Sequence, residues 1–213
     1  MQNEIGVILG RKGTGKTTLC RWLLKRAQKT LILDTLGDDY GNGCICDNGP
    51  EFREYAARVR DGEGFTVILR PQSDADVGAF FAVARASARC WIVVEEIDRY
   101  CTAGAIEDEN LNWVINYGRH RELNLIGLAR RPARVNRSLT ANADWIISHQ
   151  TTEPRDLQYL SEFMPIDEVP SLERGEWVMW GETELMAGTP PLSSPQDSPE
   201  PSPSSQLSIS SST

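Results

Sequence analysis

The chain has 213 residues, of which 40% are hydrophobic, and its formal net charge at pH 7 is −8. This length suits one domain with a sizeable core, and no apolar run approaches the ~18 residues of a membrane span, so we expect a cytoplasmic protein. The acidic balance excludes a protein that coats nucleic acid through bulk positive charge, because such binding draws on clustered Lys and Arg.

The first predicted strand, Ile5–Leu9, is followed by a glycine-rich loop and then by a helix-period segment, residues 18–28. The loop matches the pattern G-x-x-x-x-G-K-S/T in full. Its glycines let backbone N–H groups surround phosphates, while Lys16 can reach the β- and γ-phosphates and the Thr17 hydroxyl can ligate Mg²⁺. The loop therefore predicts a site for ATP with Mg²⁺. The residues that we expect to bind the nucleotide are Gly10, Arg11, Lys12, Gly13, Thr14, Gly15, Lys16, Thr17 and Thr18.

Further short apolar runs alternate with helix-period segments along the chain. The predicted strands after the first are residues 31–34, 65–69, 91–94, 123–129 and 145–148. Two sets of apolar residues at helical spacing predict crossover helices between strands: Val77, Phe80, Phe81 and Ala84, and then Leu111, Val114, Ile115 and Gly118. Continuous apolar strands suit a sheet that helices cover on both faces, with the site at the carboxyl ends of the strands. We therefore predict an α/β protein with the P-loop NTPase fold of the RecA-like type, a mostly parallel sheet flanked by helices.

Two adjacent acids, Glu95 and Glu96, end the strand at residues 91–94. On a strand beside the phosphate loop, one carboxylate can hold the metal ion and its water shell, and the other can polarise the water that attacks the γ-phosphate. We assign Glu95 to the metal and Glu96 to the water. The pair predicts hydrolysis of ATP, and the alternative is a strand end whose two acids face solvent.

Positive charge is concentrated between residues 118 and 137, where six arginines accompany a single acid. Arginines stabilise the charge on a transferring phosphoryl group. Our candidates for this role are Arg119, Arg121, Arg130 and Arg131. Arg130 and Arg131 directly follow an apolar strand and so emerge at the edge of the phosphate loop, which suits a γ-phosphate sensor. Arg134, Asn136 and Arg137 lie beyond, in a polar loop suited either to DNA phosphates or to a subunit interface.

The C-terminal part differs in composition from the rest. Residues 176–180 and 183–186 flank a Gly-Glu pair and are predicted to form a small antiparallel β-hairpin. Residues 188–213 are dominated by Ser and Pro, a composition that cannot bury enough apolar area to offset its ordering entropy. We therefore divide the chain into a P-loop ATPase domain, residues 1–187, and a disordered tail, residues 188–213.

These motifs together resemble the FtsK–HerA superfamily of hexameric DNA-pumping ATPases, and within it the small genome-packaging ATPases of tailless viruses with an internal membrane. The resemblance covers most of residues 4–160. Beyond the phosphate loop, it rests on residues 94–98, which are similar to the family's Walker B strand but carry Glu95 where Asp is usual. It rests also on residues 118–132, in which Arg131 and Pro132 agree with the family while Arg130 stands in place of a γ-phosphate-sensing glutamine. Arg119 lies where the family often carries an arginine that acts across the subunit interface.

The resemblance implies a ring, a hexamer of this chain, with ATP between subunits and arginine-bearing loops that push on double-stranded DNA. It also implies that a partner, such as a portal-like capsid protein or a membrane vertex protein, supplies specificity for the genome. On this interpretation the protein hydrolyses ATP to package a viral double-stranded DNA genome, in the host cytoplasm and in association with the virion.

Two other functions share the phosphate loop. A small P-loop kinase of a nucleotide or metabolite has a similar size and uses arginines in a lid, but it has little use for a residue that activates water. A slow ATP-binding assembly protein uses the nucleotide to hold subunits together, and the departure at Arg130 is compatible with it. Stimulation by duplex DNA and a steep dependence on protein concentration distinguish the motor from the kinase.

Overall fold

A computed structural model of the chain describes residues 3–181 and 186–188. Over these residues the backbone forms one nine-stranded sheet, in the order β3-β4-β2-β5-β6-β1-β7-β8-β9. The strands are β1 Ile5–Leu9, β2 Lys29–Leu33, β3 Cys44–Cys46, β4 Phe65–Leu69, β5 Trp91–Val94, β6 Asn124–Ala129, β7 Trp145–Ser148, β8 Trp177–Gly181 and β9 Met186–Gly188. The helices are α1 Lys16–Leu23, α2 Gly49–Val59, α3 Asp74–Ala86, α4 Glu109–Tyr117, α5 Arg137–Ala141 and α6 Pro154–Leu160.

Strands β1 to β7 pair in parallel, and β8 and β9 add an antiparallel edge beside β7. All five residues of β1 are buried, and side chains along a strand alternate between the two faces of the sheet. Val7 and Leu9 accordingly join one core cluster, and Ile8 joins the other. The first cluster contains Phe52 of α2 and Phe80 of α3, and the second contains Leu19 of α1. The sheet is thus covered on both faces, as its continuous apolar strands predict.

Short polar side chains define where the crossover helices begin. Asn48 accepts a hydrogen bond from the backbone N–H of Glu51 at the start of α2, and Ser73 accepts one from Asp76 at the start of α3. Asp108 accepts from the backbone N–H groups of two residues in the first turn of α4. These caps satisfy N–H groups that a helix leaves without internal partners, so the local sequence fixes the ends of the helices.

The predicted strands are confirmed, and four of the six coincide with the observed bounds. Helix α1 is shorter than predicted, because the segment changes at Leu24 to a 3₁₀ turn that ends at Arg26. Strand β3 and helices α2, α5 and α6 were not predicted. Strand β8 confirms the first half of the predicted hairpin, while β9 begins at Met186, and the predicted second strand otherwise lies outside the described residues. The predicted tail also lies outside them, except that β9 ends at Gly188.

No helix in the described part of the chain is long and apolar enough to cross a membrane.

The parallel arrangement has a direct consequence for function. Because β1, β2, β5, β6 and β7 run in the same direction, the segments that follow them all emerge on one side of the sheet, at the carboxyl ends of the strands. The glycine-rich loop, the two adjacent acids and the paired arginines therefore meet at these carboxyl ends.

Candidate functional site

The loop between β1 and α1 has the backbone that its glycines allow. Gly10, Gly13 and Gly15 have φ angles of 138°, 79° and 108°, values at which a residue with a side chain is strained. A Cβ atom on Gly10 would also lie 2.8 Å from the Cβ of His149. Helix α1 begins directly after Gly15 with no side-chain cap, so its first N–H groups point out of the helix end toward the cavity above the loop.

Lys16 and Thr17 occupy the first turn of α1. The Lys16 ammonium donates hydrogen bonds of 2.8 Å each to the backbone oxygens of Gly10 and Arg11, which fold its side chain over the loop. Burial, followed by the charge of nearby Arg130, lowers the pKa of Lys16 to about 8. The site thus concentrates positive charge where it is poorly solvated, an arrangement that favours the binding of phosphates.

The two acids after β5 point to different partners. Glu95 is buried, and its Oε1 accepts a hydrogen bond of 2.7 Å from the Tyr40 hydroxyl. Burial raises the pKa of the Glu95 carboxyl to about 8, although the Tyr40 hydrogen bond acts in the opposite direction. Glu96 has a left-handed φ of 48°, and its Oε1 lies 3.0 Å from Nη2 of Arg130. A left-handed backbone is costly for a residue with a side chain, and such strain clusters at functional sites.

The arginine pair after β6 divides between two locations. Arg130 lines the cavity above the phosphate loop through its contact with Glu96. Arg131 turns instead to α6, where its Nε donates a hydrogen bond of 2.7 Å to the buried carboxylate of Asp156 and its Nη2 lies 3.3 Å from Glu153. The structure therefore brings Arg130 to the expected site and does not bring Arg131 there.

The remaining candidate arginines lie away from the phosphate loop of their own chain. Arg119 is exposed in a 3₁₀ turn before β6. It lines a separate cavity with Ile5 and Trp145 at the amino ends of the strands, on the side of the sheet opposite the phosphate loop. Arg121 donates hydrogen bonds to backbone oxygens at the end of α3. Arg137 pairs with Glu162 at the start of α5, while Arg134 is exposed.

The cavity above the phosphate loop has a volume of about 450 Å³. It brings together most of the residues that the sequence predicts at an ATP site. It is lined by Lys12, Gly13, Gly15, Lys16, Thr17, Thr18, Leu36, Asp38, Glu95, Glu96, Leu128, Ala129, Arg130 and Arg174. Gly10, Arg11 and Thr14 belong to the same loop, and the hydroxyl of Thr14 donates a hydrogen bond of 2.9 Å to the Arg11 backbone oxygen.

Sequence reasoning missed three polar residues at this site. Asp38 and Tyr40 come from the segment after β2, where the only signal is a run of acids after the strand. Arg174 precedes Gly175, whose N–H donates a hydrogen bond of 3.0 Å to the backbone oxygen of Thr14. That contact joins two segments about 160 residues apart, and local sequence patterns carry no signal for it.

Comparison with known proteins identifies the family. Residues 7–149 match the family model described as ATPase family associated with various cellular activities (AAA). The chain belongs to this AAA family. It is therefore an ATP-binding protein and an ATPase, as the phosphate loop and the two acids predict.

Individual relatives agree with the predicted resemblance to genome-packaging ATPases. The DNA packaging ATPase P9 of Enterobacteria phage PRD1 is 24% identical over 170 residues, which cover 76% of this chain and 70% of that protein. The structure of the genome packaging NTPase B204 from Sulfolobus turreted icosahedral virus 2 in complex with AMPPCP has a TM-score of 0.72 and 17% identity. It covers 89% of this chain and 99% of B204. The pCW3 conjugation coupling protein TcpA shares the fold with a TM-score of 0.56 and 13% identity, over 88% of this chain and 60% of TcpA.

His149 gives a prediction for stability against pH. It lies below the phosphate loop, its Nδ1 is 2.8 Å from the Glu176 backbone oxygen, and burial lowers its pKa from 6.5 to about 4. The unfolded chain takes up a proton near pH 6.5 and the folded chain does not until about pH 4, so stability is lost as the pH falls through this window. Between pH 7 and pH 5, this difference in protonation should lower the unfolding free energy of the wild type by about 1–2 kcal/mol. We expect His149→Asn, whose amide can replace the Nδ1 donor, to abolish this part of the decrease.

The measurement is urea unfolding of the wild type and the variant at pH 7 and pH 5. The matched control is His120→Asn at an exposed histidine. Equal pH dependence in the wild type and His149→Asn would contradict the assignment of a neutral, buried imidazole.

Arg131 gives a second prediction. Because Asp156 is buried and Arg131 does not line the cavity, Arg131→Met should lower stability and leave nucleotide affinity unchanged. We expect a loss of about 1–3 kcal/mol, less than for a fully buried pair because the Arg131 side chain is 41% exposed. The measurements are thermal unfolding and titration with a fluorescent ATP analogue, with exposed Arg134→Met as the control. Unchanged stability together with weakened nucleotide binding would instead place Arg131 at the phosphates.

Proposed function

We propose that this protein is an ATP-driven motor that moves double-stranded DNA into a viral capsid. The observation that carries the proposal is the convergence of Lys16, Thr17, Glu95, Glu96 and Arg130 in one cavity at the carboxyl ends of parallel strands. This set serves hydrolysis of a triphosphate. The likeness to the packaging ATPase P9 supports DNA as the cargo of that hydrolysis.

Oxygen donors at the cavity fit a magnesium ion. Thr17 supplies a hydroxyl, and Oε2 of the buried Glu95 has no hydrogen-bond partner among the described residues. Mg²⁺ prefers such hard oxygen ligands together with substrate phosphates. We propose that Thr17 and Glu95 hold Mg²⁺, which when bound neutralises charge on the phosphates.

Glu96 is the general base in this proposal. Its carboxylate is 18% exposed at the cavity, so a water molecule can reach it, and its ion pair with Arg130 fixes its direction. Glu96 can therefore accept a proton from the water that attacks the γ-phosphate. Arg130 brings positive charge to the same point, which suits the role of γ-phosphate sensor in place of the family's glutamine. Arg131 acts as a positioning residue, since it joins the end of β6 to α6.

Arg119 serves a neighbouring subunit in this proposal. It is exposed and lies at the opposite edge of the sheet from the phosphate loop of its own chain. An arginine in that position can reach a γ-phosphate only across a subunit interface, and arginines supplied by a neighbouring subunit stabilise phosphoryl transfer in this way. The proposed assembly is a ring, a hexamer, around duplex DNA.

The DNA and partner contacts are part of the same proposal. Exposed Arg134 lies in the loop after β6 and can face DNA phosphates from the pore of the ring. A capsid portal or membrane vertex protein would then select the viral genome, and packaging would take place in the host cytoplasm at the virion.

The proposal predicts how ATP hydrolysis depends on DNA and on protein concentration. We expect linear duplex DNA at fixed salt to stimulate the rate, and the rate per chain to rise cooperatively with protein concentration, because the complete site forms only between subunits. Glu96→Gln should still bind ATP but lose about 10²–10⁴-fold in turnover, while Lys16→Ala should not hydrolyse ATP. A rate that is independent of DNA and linear in protein would reject the motor, and full turnover by Glu96→Gln would reject the base.

A subunit-mixing experiment tests Arg119. Arg119→Ala should bind ATP normally and hydrolyse it poorly. Mixing it with Lys16→Ala subunits should restore activity, since Lys16→Ala subunits supply the arginine while Arg119→Ala subunits supply the intact phosphate loop. The readout is the hydrolysis rate as a function of the mixing ratio. A mixture no more active than its separate components would remove the support for action across the interface.

A further inference from the structure

The segment after β2, residues 34–40, forms a wall of the ATP cavity. Buried Asp34 organises it, because its Oδ1 accepts hydrogen bonds of 3.1, 2.7 and 3.1 Å from the N–H groups of Leu36, Gly37 and Asp38. Arg70 holds the same turn, since its Nε donates to Asp34 Oδ2 at 2.9 Å and its Nη2 donates to the Asp38 backbone oxygen. The backbone of this segment is therefore fixed without any contribution from the Asp38 side chain.

The Asp38 carboxylate is directed at the phosphate loop. Its Oδ2 accepts a hydrogen bond of 2.7 Å from the Thr17 hydroxyl, and Oε1 of Glu95 lies 3.4 Å from the same hydroxyl. A hydroxyl has one proton to donate and two lone pairs to offer. Once the Thr17 proton is directed to Asp38, the lone pairs of Thr17 remain free for a cation, between two carboxylates.

The state of Glu95 provides independent evidence that a ligand belongs at this point. The Tyr40 hydroxyl donates to Oε1 of Glu95 at 2.7 Å, so this hydrogen bond does not satisfy the other carboxylate oxygen, Oε2. That Oε2 atom is buried and has no hydrogen-bond partner among the described residues, although Glu95 is only 1% exposed. A buried oxygen without a partner is costly, and Oε1 of the same carboxylate lies 3.4 Å from the Thr17 hydroxyl, so a cation bound beside Thr17 would satisfy the Glu95 carboxylate.

We propose that Asp38 is a further ligand of the magnesium ion, either directly or through one of the ion's water molecules, alongside Thr17 and Glu95. This inference rests on the proposed Mg²⁺ site at Thr17 and Glu95. Mg²⁺ is held in proteins by one or two carboxylates together with water and substrate phosphates, which is the donor set that these residues complete. Asp38 compensates for the glutamate at position 95, whose longer side chain is tied to Tyr40.

The alternative is that Asp38 serves only to orient the Thr17 hydroxyl. Asp38→Asn separates the two roles, because the amide oxygen still accepts the Thr17 hydrogen bond while the negative charge is lost. Asp38→Ser is a second variant, which keeps an acceptor without charge in a smaller side chain. Asp39→Asn is the matched control, since Asp39 is the adjacent acid and its side chain is 78% exposed. It pairs with Arg21 and accepts a hydrogen bond from the Gly41 N–H, which the amide oxygen of Asn can still accept.

The experiment measures the metal dependence of nucleotide binding by the full chain. A fluorescent, non-hydrolysable ATP analogue, mant-AMPPNP, is titrated first in EDTA and then with increasing MgCl₂. We expect Asp38→Asn and Asp38→Ser to bind the analogue in EDTA at least as tightly as the wild type. They should need about 10- to 100-fold more Mg²⁺ for the half-maximal metal effect, the range found when groups that support a metal site are removed. Asp39→Asn should behave like the wild type.

Glu95→Gln distinguishes failure of this inference from failure of the site on which it rests. If Glu95→Gln raises the Mg²⁺ requirement and both Asp38 variants keep that of the wild type, the Mg²⁺ site stands and the role of Asp38 is rejected. If neither position affects the Mg²⁺ requirement, the proposed Mg²⁺ site is wrong together with the inference. A weakened affinity of the Asp38 variants in EDTA, with an unchanged Mg²⁺ requirement, would assign Asp38 to Thr17 alone.

Discussion

The site depends on how firmly the phosphate loop is held at the carboxyl end of β1. Backbone hydrogen bonds fix the start of the loop from both sides, from the Gly10 N–H to the oxygen of Ala129 at the end of β6 and from the Arg11 N–H to the oxygen of Gln150 after β7. A third, from Gly175 to Thr14, holds its tip. Because three separate segments contribute, they hold the loop in a conformation that suits phosphate binding. Preorganised N–H groups of this kind bind anions with little further ordering cost.

The electrostatics of the cavity follow from this geometry. Burial lowers the pKa of Lys16 to about 8 and raises that of the Glu95 carboxyl to about 8, so each group loses part of the stabilisation that its charge has in water. In the proposed site, the anionic phosphates of ATP would lie beside Lys16, and a magnesium ion would bring positive charge to Glu95. Both groups are thus arranged for ligands whose charges complement them, and their environment differs from that of an ordinary ion pair on the surface.

The two arginines after β6 show how one strand end can serve both chemistry and architecture. Arg130 contacts Glu96 in the cavity, whereas the next residue, Arg131, pairs with buried Asp156 of α6. Consecutive residues at a strand end point in opposite directions, so only one of two adjacent arginines can face the nucleotide. Arg131 therefore ties the position of α6 to the strand end that places Arg130 at the cavity, which links the cavity to the rest of the protein.

The sequence by itself determined most of the strands, the phosphate loop and the position of Glu95 and Glu96 directly after β5. These rest on local patterns: apolar runs, glycines at fixed spacing and acids directly after a strand. Only the tertiary structure decided that Arg130 faces the cavity and Arg131 does not, that Arg119 lies at the far edge of the sheet, and that Asp38 and Tyr40 reach Thr17 and Glu95. The physical reason is that each of these contacts joins side chains from separate elements, and their directions are set by packing across the sheet rather than by neighbours in the chain.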